Sequence, residues 1–171
     1  GATLHRMTEK ADRGNIVDQE VVSIGQGDTA KDVFLKVADA ATEILGRSLE
    51  SIESGDAKGV PQDDTLATVF GGRKPEDGLI RWDQSSKRIY DLIRAVTHPY
   101  PEAFSFFGDK KVLFWWGTPM EGTSLGKPGS VLCLNPMVVS TGKGNLEIQK
   151  VQFEGEPELD GPSFAKSYLR L

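Results

Sequence analysis

The residues that could support acid–base, thiol or metal chemistry are few in this sequence. The chain of 171 residues has two histidines, His5 and His98, and one cysteine, Cys133. Neither histidine has further ligand-type residues at the spacing of a metal site, and Cys133 lies in an apolar pattern typical of a strand. The sequence therefore disfavours metal chemistry and thiol catalysis, and it predicts no metal ligand.

Asp12 is the carboxylate whose position best suits a functional site. It stands in a polar turn, Lys10 to Gly14, between two short apolar segments that are typical of strands. A carboxylate on a tight loop between strands is well placed to face a cleft. An Asp followed two residues later by Gly is also an ordinary turn sequence, and by itself the residue pattern favours that structural interpretation.

Two further patterns are explained better by structure than by binding. Gly25-Gln26-Gly27 lacks the third glycine of a dinucleotide-binding loop and the lysine of a P-loop, so it predicts a turn. The adjacent Trp115 and Trp116, with phenylalanines nearby, could stack nucleic-acid bases. No basic residues are interleaved with them, and packing in the core of a small barrel is favoured.

Charge is divided unevenly along the chain. Residues 1–80 hold 9 Lys and Arg against 15 Asp and Glu, and residues 81–171 hold 11 against 10, so the two parts carry net charges of −6 and +1. A nucleic-acid-binding surface usually has a clustered positive face, which makes nucleic acid a disfavoured partner. No apolar stretch approaches the ~20 residues that span a bilayer, and one cysteine forms no internal disulfide. We therefore expect a cytoplasmic protein with no membrane partner.

The first part of the chain has the pattern of an α/β unit. Two β-branched segments predict strands on either side of the Asp12 turn. An amphipathic helix is predicted from Thr29, which forms a capping pair with Asp32, to about Gly55. Residues 55–78 are rich in Gly, Pro and Asp and predict a linker.

The second part of the chain has the pattern of a small β protein. A helix is predicted to begin at Ser85 or Ser86 and to stop before Pro99. Short strands follow at high density, and a last helix is predicted from Pro162. This succession is typical of a small barrel.

Several stretches, in this order and spacing, resemble the folate-dependent formyltransferases. Residues 3–17 are similar to the family segment T-x-H-x-M-x-x-x-x-D-x-G-x-I-V, in which the Asp corresponds to Asp12. Members of this family move a formyl group from 10-formyltetrahydrofolate to an amine, either on methionyl-tRNA or on a nucleotide-linked amino sugar. The remaining similar segments are residues 70–77, 80–82, 94–104, 128–131 and 159–161.

The resemblance implies both a fold and a catalytic set. Residues 1–75 would be the terminal part of a Rossmann-like formyltransferase domain with its linker, and residues 76–171 an OB-like open β-barrel C-terminal domain. In the family an Asn, a His and an Asp act together, and of these the Asp alone matches a motif here, as Asp12. The Asn and the His would precede Gly1, and the chain begins with neither Met nor a leader pattern. We therefore expect a fragment that is inactive alone.

The resemblance also bears on the amine acceptor. A methionyl-tRNA formyltransferase must hold a polyanion, and net charges of −6 and +1 do not favour this. The segments 71–78 and 99–104 are closer to the sugar-modifying members, in particular those that formylate UDP-4-amino-4-deoxy-L-arabinose for lipid A modification. Arg73, at the predicted junction between the two parts, is expected either to bind the phosphates of the sugar nucleotide or to be an exposed linker charge.

Two other functions remain open from the sequence. One is a fragment of a methionyl-tRNA formyltransferase, with tRNA as the acceptor. The other is a non-catalytic OB-like module that binds nucleic acid or a protein partner. The preferred prediction is a formyltransferase that uses 10-formyltetrahydrofolate as donor and a nucleotide-linked amino sugar as acceptor.

Overall fold

Residues 1–169 are described by a computed structural model, in which backbone contacts separate residues 1–72 from residues 73 onward. In the first unit, strands β1 and β2 pair antiparallel, with an irregular register after Leu4 that places His5 opposite Ile16. Both strands contact a long helix. The elements of this unit are β1 (Ala2–His5), β2 (Ile16–Glu20) and α1 (Ala30–Glu53).

Helix α1 begins and ends as its sequence predicts. The Asp32 amide donates to Thr29 Oγ1 over 3.3 Å, and the Thr29 amide donates to the Asp32 carboxylate over 2.9 Å, so the capping pair is reciprocal. Gly55 follows the helix with a φ of 81°, the left-handed conformation that glycine adopts without steric cost. The buried face contains Ala40, Ile44 and Ser48.

The predicted apolar face of α1 was partly wrong. Leu45 and Leu49 recur at helical spacing with Ile44, and this pattern predicts that all three face inward, but 51% and 48% of the Leu45 and Leu49 surfaces are exposed. Strands β1 and β2 lie against the side that carries Ile44, where a half-buried Asp18 on β2 meets Arg47. A polar contact between helix and sheet has therefore replaced part of the expected apolar one.

Arg47 joins α1 to β2 through a bidentate ion pair. Its Nε and Nη2 donate to the two carboxylate oxygens of Asp18 over 2.6 and 3.0 Å, and its Nη1 donates to Glu20 over 2.7 Å. The Ser48 hydroxyl adds a bond of 3.2 Å to Asp18. The Arg47 guanidinium lowers the pKa of Asp18 to about 2, because it stabilises the ionised carboxylate.

In the second unit, one antiparallel sheet packs against two helices. Its strand order is β3-β4-β7-β6-β5, with β8 paired to β7. Within residues 1–169 no ladder joins β3 to β5, so the sheet is open and does not close into a barrel. The elements are α2 (Ser86–Val96), β3 (Ala103–Phe107), β4 (Lys110–Met120), β5 (Val131–Leu134), β6 (Met137–Ser140), β7 (Asn145–Phe153), β8 (Leu159–Asp160) and α3 (Gly161–Tyr168).

Both helices contribute to the core of this unit. Ile89 and Ile93 of α2 and Phe164 of α3 belong to one buried cluster with Leu146 and Ile148 of β7. A small closed barrel fills its interior with strand side chains alone, whereas here helical side chains share the core. None of the helices within residues 1–169 has the length and apolar character needed to cross a membrane.

We expect Arg47→Met to lower the melting temperature of the first unit near neutral pH, since Asp18 and Glu20 lose their shared cation. The pKa of Asp18 lies below its ordinary value of 3.8 in the folded protein. The stabilisation is therefore complete above about pH 4 and is lost as the pH falls toward about 2. Circular dichroism melts should show a difference between wild type and variant that shrinks on acidification.

Lys31→Met is the matched control for this prediction, because it removes one positive charge from the exposed surface of the same helix. An equal loss of melting temperature in Lys31→Met would attribute the effect to net charge and not to the ion pair.

Candidate functional site

The Asp12 turn, residues 11–14, places an exposed carboxylate between β1 and β2. Asp12 has a φ of 57°, which is uncommon for a residue other than glycine, and its side chain is 94% exposed. Gly14 is buried against the residue that follows β1, and a Cβ atom there would lie 1.6 Å from the carbonyl oxygen of Arg6. The Arg6 amide donates to the Asn15 carbonyl over 2.9 Å. The turn therefore depends on a glycine at position 14.

A strap formed by residues 57–62 crosses beside this turn. The amide of Ile16 donates to the carbonyl of Val60 over 2.8 Å, and the amide of Val60 donates back over 2.7 Å. Arg6 Nη2 donates to the carbonyl of Ala57 over 2.7 Å. These bonds join segments more than 40 residues apart, so part of the predicted linker is an integral part of the first unit.

Gln62, the last residue of the strap, binds the main chain of the Asp12 turn. Its Nε2 donates to the carbonyl of Asp12 over 3.0 Å and to the carbonyl of Gly14 over 2.6 Å. The two carbonyls lie two residues apart within the turn, so one amide group binds the main chain on both sides of Arg13. Sequence analysis missed Gln62 because its partners lie 48 and 50 positions away.

His5 is the nearest basic side chain to the Asp12 carboxylate. His5 Nδ1 lies 3.0 Å from the carbonyl oxygen of Arg6, which only accepts, so Nδ1 carries the proton. His5 Nε2 lies 3.7 Å from Asp12 Oδ1, which is longer than a hydrogen bond. The Asp12 carboxylate therefore keeps lone pairs available for another donor.

The Asp12 turn forms one wall of a cavity of about 670 Å³ in the first unit. This volume lies within the range of small-molecule sites. The opposite chain segment supplies apolar side chains from Leu66, Val69 and Phe70, which are 78%, 88% and 89% exposed. A concave site with an apolar strip and a few polar groups suits an organic ligand of moderate size.

The polar groups of this cavity are mainly acidic. Asp63 and Asp64 line it with Asp12, and Arg13 is the cation among them. Arg13 Nη1 is paired with the Asp64 carboxylate. The hydroxyl and amide of Thr65 donate to Asp63 and hold the pKa of that carboxyl below its usual value. The cavity therefore favours a neutral or cationic ligand group beside Asp12.

Arg73 belongs to the second unit, where it lines a separate cavity of about 510 Å³. Arg81 and Arg88 line the same cavity, together with Asp77 and Asp91. Asp77 accepts a hydrogen bond from the Lys74 amide over 2.9 Å, which fixes the chain next to Arg73. Three guanidinium groups at one cavity are suited to an anionic ligand group.

The remaining candidate residues have structural contacts. His98 stacks on Trp115 with ring centroids 3.7 Å apart, and its Nε2 lies 3.1 Å from Glu158 Oε2. Trp115 is 8% exposed, as core packing predicts, whereas Phe106 is 58% exposed. Cys133 lies exposed on β5. Within residues 1–169 no group of three or more His, Cys, Asp or Glu residues is arranged for a metal ion.

Comparison with known proteins gives a consistent set of relatives. Residues 73–169 match the family described as formyl transferase, C-terminal domain. The bifunctional polymyxin resistance protein ArnA of Wigglesworthia glossinidia brevipalpis is 40% identical over 153 residues, which cover 90% of this chain and 23% of that protein. The chain thus spans about a quarter of the length of this relative.

Solved structures share the fold over most of the chain. HypX from Aquifex aeolicus in complex with tetrahydrofolic acid aligns with a TM-score of 0.68 at 24% identity, over 98% of this chain and 30% of that chain. The N-formyltransferase from Helicobacter canadensis, solved with folinic acid and dTDP-3-aminofucose, aligns with a TM-score of 0.65 at 18% identity, over 85% of this chain and 54% of that one. At these identities the alignments establish a common fold.

We expect Gly14→Ala to destabilise the first unit by about 1–3 kcal/mol, because the new Cβ would overlap the Arg6 carbonyl and push the Asp12 turn away from β1. Thermal or urea unfolding measures the loss. Gly27→Ala is the control, since nothing lies within 4 Å of a Cβ built at Gly27. Equal stability of the two variants would contradict the tight packing of Gly14.

Proposed function

The chain belongs to the formyl transferase C-terminal domain family, and from this premise we propose that it is part of an enzyme that formylates a nucleotide-linked amino sugar. The donor in this proposal is 10-formyltetrahydrofolate, and the enzyme acts in the cytoplasm. Residues 1–75 would be the last strands, helix and linker of a Rossmann-like formyltransferase domain. Residues 76–171 would be its C-terminal domain.

The observation that carries the proposal is the exposed carboxylate of Asp12 on the wall of a ligand-sized cavity. The turn holds Asp12 in a left-handed conformation, with its side chain in solvent. His5 approaches to 3.7 Å without a hydrogen bond. A carboxylate in this state is able to accept a hydrogen bond from an imidazole supplied outside this chain, as the family resemblance implies.

The chemistry assigns Asp12 a defined task. A neutral amine attacks the formyl carbon, an oxyanion forms, and the ammonium must lose a proton before the folate nitrogen leaves. In the proposed enzyme an Asn outside this chain stabilises the oxyanion, and a His outside this chain takes the proton. Asp12 orients this His and raises its pKa, because a nearby carboxylate stabilises the imidazolium.

The first-unit cavity fits a folate donor. When bound, 10-formyltetrahydrofolate supplies the formyl group. Leu66, Val69 and Phe70 offer apolar surface for a flat ring system, and Asp12 and Asp63 offer acceptors for ring amino groups. HypX from Aquifex aeolicus and the Helicobacter canadensis enzyme were solved with tetrahydrofolic acid and folinic acid, which supports a donor of this class.

The acceptor is proposed to be a nucleotide-linked amino sugar, in particular UDP-4-amino-4-deoxy-L-arabinose. The 40% identity to a polymyxin resistance protein supports a sugar acceptor, as does the dTDP-3-aminofucose in the Helicobacter canadensis structure. Arg73, with Arg81 and Arg88 at the same cavity, would bind the diphosphate.

We expect Asp12→Asn in the intact enzyme that contains this chain to reduce kcat roughly a hundredfold or more, since the proton-accepting His loses its partner. Tetrahydrofolate release in the presence of 10-formyltetrahydrofolate and UDP-4-amino-4-deoxy-L-arabinose measures the rate. The KM for the acceptor should change little. The 171-residue chain alone should show no turnover.

Asp28→Asn is the control, because Asp28 is a loop carboxylate of the same unit that pairs with Lys36 outside the cavity. A wild-type rate for Asp12→Asn would remove Asp12 from the proposed mechanism. Turnover by the 171-residue chain alone would show that its catalytic set is complete, with a histidine of this chain acting beside Asp12.

We expect Arg73→Met in the intact enzyme to raise the KM for the sugar nucleotide roughly tenfold, because a charge-assisted contact to phosphate is lost. The dissociation constant of the folate donor, measured by calorimetry, should stay the same. Lys87→Met removes an exposed cation of α2 and should leave both constants unchanged. Unchanged acceptor kinetics in Arg73→Met would contradict the phosphate contact.

A further inference from the structure

We propose that Gln62 is a positioning residue, whose side-chain amide holds the main chain of the Asp12 turn so that the carboxylate faces the reacting groups. This role rests on the proposed function, because it concerns the direction of the Asp12 carboxylate in the proposed mechanism. It rests on contacts within the first unit alone.

The side-chain amide of Gln62 donates two hydrogen bonds to the Asp12 turn. Gln62 Nε2 has two N–H groups, and it lies 3.0 Å from the carbonyl oxygen of Asp12 and 2.6 Å from that of Gly14. A carboxamide is thus used as a two-pronged donor across the turn. A Glu at this position would set carboxylate oxygens against two carbonyl oxygens, and a Leu would offer no donor.

The Asp12 backbone has a left-handed conformation that needs support from its surroundings. Asp12 has a φ of 57°, and a non-glycine residue keeps this strained backbone conformation only where its surroundings impose it. The carbonyl of Asp12 is the group whose direction reports that conformation, and Gln62 binds it directly. The donor therefore selects the left-handed turn over an ordinary one.

Gln62 is held in place by hydrogen bonds of the strap that carries it. The strap that carries it is pinned two residues earlier by the reciprocal bonds of Ile16 and Val60, and five residues earlier by the bond from Arg6 to Ala57. Gln62 is itself half-buried, whereas its neighbours Pro61 and Asp63 are exposed. The two bonds from Gln62 Nε2 to the Asp12 and Gly14 carbonyls, called the clamp below, are thus anchored to β2 through Val60 and Ile16.

Because the Asp12 side chain is exposed, the main chain of the turn decides where its carboxylate lies. The Asp12 side chain is 94% exposed and lies 3.7 Å from His5, so its direction depends on the backbone that bears it. A shift of about 1 Å in a catalytic group costs up to about a hundredfold in rate. Gln62 also lines the first-unit cavity, but its Nε2 donates to two main-chain carbonyls of the turn. Loss of the Gln62 amide should therefore lower catalysis by displacing Asp12.

The clamp itself is tested on the 171-residue chain, whose activity is irrelevant to the measurement. Backbone carbon chemical shifts report whether Asp12 retains its left-handed conformation. We expect the shifts of residues 12–14 to move toward averaged values in Gln62→Leu and Gln62→Glu. In Gln19→Leu, which removes an amide bond to Thr3 elsewhere in the same unit, they should stay as in the wild type. Unmoved shifts in both Gln62 variants would overturn the clamp.

The consequence for catalysis is tested by a double-mutant cycle in the intact enzyme. Gln62→Leu should lower kcat roughly ten- to a hundredfold, with the KM for the acceptor changed less than about twofold. In the Asp12→Asn background the same change should lower kcat less than about twofold, because Gln62 acts through Asp12. Asn tolerates the left-handed conformation, so the background variant keeps the turn.

The outcomes of the cycle separate the two proposals. An equal loss of rate in both backgrounds, or a loss matched by a fall in melting temperature, would assign Gln62 a structural role and overturn the inference. Wild-type activity of Gln62→Leu would overturn it as well. A normal rate for Asp12→Asn would instead overturn the proposed role of Asp12, and the chemical shifts would then decide the clamp by themselves.

Discussion

The pair of backbone hydrogen bonds between Ile16 and Val60 is the constraint on which the candidate site depends. It joins β2 to a segment 44 positions later, and so brings residues 57–62 beside the turn between the first two strands. Gln62 reaches Asp12 only because Val60 is fixed, and the cavity exists only because the chain beyond Gln62 continues past that turn. The distant segment thus supplies the hydrogen-bond donor that binds the Asp12 turn and the residues that form the rest of the cavity.

The candidate cavities of the two units differ in the charge of the residues that line them. The first-unit cavity is lined by Asp12, Asp63 and Asp64 with one arginine, whereas the second-unit cavity has three arginines and two aspartates. Each cavity by itself favours ligand groups of the opposite charge, because such groups have a lower electrostatic energy there.

Local sequence predicted the regular elements well where a local cause decides them. The reciprocal Thr29 and Asp32 bonds begin α1, and Ser85 caps α2 with a bond from the Arg88 amide, as their capping patterns indicate. The family resemblance, carried by motifs along the chain, is confirmed by the match over residues 73–169. The barrel predicted from the density of short strands is not present, because the sheet stays open between β3 and β5 within residues 1–169. Strand density alone does not distinguish an open sheet from a closed one.

The sequence by itself determined the elements, the family and Asp12 as the candidate carboxylate, because caps, periodicity and motif spacing are local properties of the chain. Tertiary structure alone decided the left-handed turn at Asp12, the approach of His5 and the amide clamp from Gln62. Those features depend on register and on hydrogen bonds across about 50 positions, which no sequence pattern encodes locally. The candidate carboxylate is therefore predictable from the sequence, whereas its orientation is a property of the fold.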